Sequence, residues 1–155
     1  MVSIGFSTTN MALSKLIRWV TKAPCSHTFI IFDWLGSKWV LEAGFFGVVA
    51  MPYERFTKNN IIVSVVDLPG IELDSLKPVL EEMGEAYDFG GLIGGFFPVM
   101  GTWFKKKWSN PWDNTKALFC SELVAGWLKL LNFEGFQDIN PPETTPKQIW
   151  GILSA

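Results

Sequence analysis

The chain has 155 residues, enough for one hydrophobic core without metal or disulfide staples, because a chain of this size buries about 70% of its extended surface on folding. It is 48% hydrophobic, 15% aromatic and only 18% charged, which excludes the composition of a disordered chain. Thirteen basic residues against fifteen acidic give a net charge of -2, without the positive excess of a nucleic-acid binder.

Along the chain, residues 1–10 carry no basic residue and no apolar run leading to a small-residue cleavage site, so no secretory leader is read there and a cytoplasmic location is expected. Residues 10–21 read as an amphipathic helix, with Leu13, Leu16, Ile17 and Val20 at the spacings of a buried stripe, and Pro24 ends it. The period then changes. Residues 27–32, 38–43, 47–51 and 61–66 are rich in Ile, Val, Phe or Trp and are bounded by Gly, Asp, Asn or Pro, which predicts four strands. Asp74 is placed to cap a helix over 76–84, with Pro78 tolerated in its first turn.

Residues 87–111 are rich in Gly, Phe and Trp and give no clear element. The uncharged run from Phe89 to Phe104 is broken by glycines and Pro98 and falls short of the ~20 apolar residues of a spanning helix. A last clear helix covers 121–131, with Leu123, Val124, Trp127, Leu128 and Leu131 on one face and Asn132 as a C-terminal cap. The tail holds Pro141, Pro142 and Pro146 before a short apolar segment at 149–153. The sum is one α+β domain over 1–155, a central antiparallel sheet packed against helices.

Two constellations carry chemistry. Asp33-Trp34-Leu35-Gly36 has the Asp and Gly of a type I turn. If Asp33 faces Gly36, His27 lies directly opposite Glu42 on one face of the hairpin. Such a pair is commonly an exposed one, yet Glu42 sits within Trp39-Val40-Leu41-Glu42-Ala43, where a partly buried carboxylate needs a partner. The second is Cys120, just before the helix expected from Ser121. First-turn N–H groups favour a thiolate and can hold an oxyanion. A buried structural cysteine is the commoner fate of a lone Cys, and a start capped by Thr115 would move Cys120 into the second turn. A nucleophilic Cys needs a base and the base an orienting acceptor, and His27 with Glu42 are the only such pair on offer. Cys25, in the expected loop after Pro24, reads as structural. Two cysteines and one histidine are too few soft ligands for a structural zinc site, and no metal is expected.

Ser26-His27 opening an apolar strand, Glu42 on the next, and Phe119-Cys120-Ser121-Glu122-Leu123-Val124 at a helix start resemble the circularly permuted branch of the NlpC-type papain-like enzymes. There the histidine strand precedes the cysteine helix. Gly84-Glu85-Ala86-Tyr87-Asp88 resembles the family's Gly-x-x-Tyr segment, although residues 90–112 separate Tyr87 from Cys120 by more than the family's usual spacing. The resemblance spans roughly 27–131. It implies a papain-like fold and a Cys120–His27–Glu42 triad forming an acyl-enzyme, with Tyr87 and the Cys120 backbone N–H at the oxyanion. No cofactor is implied.

The family's better-known members cleave amide bonds of cell-wall peptides, which makes a peptide amide the expected substrate. Permuted relatives also hydrolyse or transfer lipid acyl groups. Phe96, Phe97, Trp103 and Phe104 next to Lys105, Lys106 and Lys107 offer a candidate membrane-surface contact in keeping with that alternative. The same aromatics could instead pack over the core. A non-catalytic binding module on the same fold is the third reading. No nucleic-acid partner is expected.

Overall fold

The computed structural model describes residues 1–44, 47–81 and 116–154. Tyr87 and the Phe96–Lys107 cluster of the expected membrane contact lie outside them. Five strands form one antiparallel sheet: β1 (Val2–Thr8), β2 (His27–Trp34), β3 (Ser37–Gly44), β4 (Gly47–Pro52) and β5 (Ile61–Leu68), in the order β4-β3-β2-β1-β5. Among the described residues the helices are α1 (Ala12–Thr21), α2 (Tyr53–Thr57), α3 (Lys77–Glu81), α4 (Lys116–Leu130) and α5 (Pro146–Leu153), with 3-10 turns at Leu73–Leu76 and Pro141–Glu143. This is an α+β architecture. Among the described residues no helix is long and apolar enough to cross a membrane.

β1 is the strand that the sequence reading omits, and it is buried throughout. Its period of two is present: Val2, Ile4 and Phe6 enter the main core, while Ser3, Gly5 and Ser7 face the other way. Ser and Gly are poor strand formers by propensity, but a small residue is required at Gly5. A Cβ there would lie 2.2 Å from Phe29 Cε2, because the Phe29 ring lies over the Gly5 backbone.

The larger core fills one face of the sheet. Val2, Ile4, Phe6, Ile30, Phe32 and Leu41 meet Val124, Trp127 and Leu128 of α4 and Ile149 of α5. Each fully buried aliphatic side chain there contributes about 1.5–3 kcal/mol of transfer free energy. Trp127 also donates Nε1–H to the Ser75 carbonyl at 2.9 Å, tying α4 to the turn before α3. Just past α4, Asn132 has a left-handed φ of 52° and its N–H donates to the Lys129 carbonyl, the C-terminal cap expected there. α5 starts from a capping box in which Thr145 and Gln148 exchange bonds with each other's backbone N–H. The opposite face of the sheet is smaller: Phe29, Ile31 and Val40 are covered by Phe56 of α2.

The β2–β3 turn differs from the expected type I turn. Trp34 pairs with Ser37, so the loop is Leu35-Gly36, with φ of 50° and 76°. Two successive positive φ values make a primed turn, whose twist matches that of the strands it joins. Gly36 meets that demand freely and Leu35 meets it with some strain.

Candidate active site

His27 is the first residue of β2, at an end of the sheet where the side chains of β3, α2 and α4 converge. With Ile30 opposite Leu41, extending the register one step sets Phe29 opposite Glu42. Glu42 is therefore diagonal to His27, not directly across as the type I turn implied. The two turn readings shift the pairing by two residues, and an even shift keeps side chains on the same face. Long side chains can span such a diagonal, and here His27 Nε2 lies 2.6 Å from Glu42 Oε2.

Both side chains are mostly buried, with 18% and 19% of their surface exposed. The ring of His27 stacks on Phe29 (centroids 5.9 Å apart) and on Phe56 (6.1 Å). Those two aromatic rings are themselves 4.4 Å apart. The faces of Phe29 and Phe56 limit rotation of the imidazole. With Nε2 committed to Glu42, Nδ1 is the nitrogen left for the Cys120 side chain, which also hydrogen-bonds the ring.

Burial of the imidazole favours its neutral form. Against it stand the charge and hydrogen bond of the Cys120 sulfur, then the hydrogen bond and charge of Glu42. The balance raises His27 to about 10. A histidine in this setting is an imidazolium at neutral pH, held between an acidic group on either side.

Cys120 is fully buried. It lies beyond the first turn of α4, since the helix is already formed at Lys116 and does not begin near Ser121. The unpaired N–H groups of a helix belong to its first turn, so this placement removes the first-turn argument for Cys120 and for its backbone N–H as an oxyanion donor. The next residue anchors the helix: Ser121 Oγ donates to the Thr144 carbonyl in the segment leading into α5.

Cys25 is buried in the main core. Its thiol is pushed up to about 11, chiefly by burial and also by the charge on Cys120, against a lowering hydrogen bond with its own backbone. A thiol of this kind stays protonated and inert, which agrees with its structural reading.

No protein-family model matches the chain, and no curated protein sequence matches it.

Ser26 takes part in a structural device. Its Oγ lies 2.6 Å from Ser14 Oγ on α1, Ser14 Oγ lies 2.9 Å from Thr8 Oγ1 at the end of β1, and the Thr9 N–H donates to Ser14 Oγ. Ser26 N–H donates to the Ser7 carbonyl. These bonds fix the chain immediately before His27. Ser7 pairs with His27 across the β1–β2 ladder and is fully buried. Its Oγ has no hydrogen-bond partner among the described residues. The pairing of β1 with β5 slips between Phe6 and Ser7, a bulge at the level of the site.

Sequence reasoning names His27, Glu42 and Cys120, and the structure brings those three together. It does not find Phe56, Ser14 or Ser7. Phe56 follows a strand-ending Pro52 with no signal that its ring faces His27. The alternation in β1 would have placed Ser7, had Ser and Gly been read as strand residues.

Proposed function

We propose that the chain is a thiol hydrolase that cleaves an amide bond, a peptide being the expected substrate, on a permuted NlpC-type papain-like fold. The observation that carries this reading is the single histidine held between the Glu42 carboxylate and the Cys120 side chain. A sheet bearing the base and its acceptor precedes the helix bearing the thiol, as in the permuted branch. Cys25 is unsuited to the role of nucleophile because its thiol is held protonated.

In this mechanism His27 takes the thiol proton as the Cys120 sulfur attacks the acyl carbon. As the C–N bond breaks, the imidazolium gives its proton to the leaving amine. Water then attacks the thioester, His27 takes the water's proton, and breaking the C–S bond regenerates Cys120. Glu42 keeps Nδ1 of His27 directed at the sulfur and stabilises the imidazolium. Tyr87 is proposed as the oxyanion donor by its resemblance to the family's tyrosine. Because Cys120 has no exposed surface, substrate binding requires the groups around the sulfur to give way.

The test is alkylation of Cys120 by iodoacetamide in a Cys25→Ser background, followed by mass spectrometry across pH. The reading expects faster modification in the wild type than in His27→Ala, because the imidazole takes the thiol proton and the variant reacts only as an ordinary thiol does as pH rises. A rate indifferent to His27→Ala would remove the proposed pair. Cys120→Ser should abolish any amidase turnover and leave the fold intact.

A further inference from the structure

α1 turns part of its apolar surface away from the protein. Ile17 and Ser14 face inward and are buried. Ala12, Leu16 and Trp19, at the three- and four-residue spacings of a single stripe, face outward. Leu16 is 50% exposed and Trp19 78%, and Met11 at the N-cap is 66% exposed. Core packing does not account for a Trp and a Leu on the outer side of a helix. Clustered exposed apolar groups of this kind mark a contact surface.

The charged residues of α1 and its immediate flank have one sign. Lys15, Arg18 and Lys22 lie on or just after α1, and no acidic residue occurs before Asp33 in a chain whose net charge is -2. Lys147 joins them, its Nζ donating to the Thr21 carbonyl at the end of α1 at 2.9 Å. Lys15 and Lys22 are exposed beside the stripe. Aromatic and aliphatic groups rimmed by cations complement a surface that is apolar beneath and anionic at its face.

We propose that α1 docks this protein on an anionic lipid bilayer, with Trp19 and Leu16 entering the interface and Lys15, Lys22 and Lys147 meeting the headgroups. The Ser14–Ser26 bond on the inner side of the same helix joins it to the residue before His27. Docking therefore brings the Cys120–His27–Glu42 cluster near the membrane, with α1, about 10–12 Å across, in contact with the lipid. The proposal does not depend on the cluster being catalytic.

Cosedimentation with phosphatidylcholine vesicles, with and without about 30% phosphatidylglycerol, tests this on the wild-type chain. Binding should require the anionic lipid and should weaken steeply with salt. Lys15→Glu with Lys22→Glu should weaken it by more than the about fivefold expected per lost cation. Trp19→Ala should also reduce it, whereas Leu35→Asn, at a turn residue 85% exposed elsewhere on the molecule, should leave it unchanged. Equal binding to both vesicle types, no binding to either, or Trp19→Ala binding like wild type would overturn the proposal. So would self-association through α1 that abolishes vesicle binding.

Discussion

The bond between His27 and Glu42 shows how a side-chain contact can survive a mistaken turn. Asp33 and Gly36 suggest one loop, and the chain adopts the next one along, Leu35-Gly36. Because the side-chain period of a strand is two, the pair stays on one face and moves only from opposite to diagonal. The contact was thus legible in the sequence even though its register was not. The environment of the ring was not legible, since Phe56 comes from a short helix on another element. Replacing Glu42 with Gln keeps an acceptor near Nε2 and removes its charge. If the chain is a hydrolase, Glu42→Gln should lower kcat/KM clearly, but by less than the about 10²–10⁴-fold or greater loss expected for His27→Ala. Steady-state kinetics of the two variants on one substrate provide the comparison. Equal losses would give Glu42 a larger structural role.

Among the elements, the four strands read from apolar runs appear within about two residues of their expected ends, because each carries the β-branched and aromatic residues that fit a pleated surface. β1 carries its signal in alternation alone, and its small residues make sense only once Phe29 is seen lying over Gly5. Gly5→Ala is therefore predicted to destabilise the fold by about 1–3 kcal/mol, the usual cost of overpacking, read as a lower midpoint in urea. Since Phe29 also stacks on His27, the same substitution should disturb the imidazole. A Gly5→Ala protein with unchanged stability would mean that Phe29 can move away freely. α4 reaches back at least to Lys116, whereas the apolar face that marks it in the sequence begins at Leu123. α1 presents the complementary case: of the stripe expected to be buried, Ile17 is buried but Leu16 is 50% exposed, because the inward face of the helix also carries Ser14.

At the scale of the whole molecule, the sheet divides the chain into a large core under α4 and a small aromatic cluster under α2, and His27 stands at an end of β2 within reach of both. This position lets one ring touch residues from β3, α2 and α4. It also makes the protonation of His27 a property of the assembled fold. An imidazole raised from 6.5 to about 10 contributes stability fully below its unfolded value, and that contribution is lost as pH rises through about 10. The chain contains one histidine, so its ring signal is unambiguous in a proton–carbon NMR titration. The account predicts that His27 in the wild type shows no midpoint between about pH 5 and pH 8, and that Cys120→Ala brings the midpoint down because it removes the sulfur's charge and hydrogen bond. A wild-type histidine titrating near its ordinary value, with a midpoint unmoved by Cys120→Ala, would contradict the claim that Cys120, His27 and Glu42 form one coupled unit.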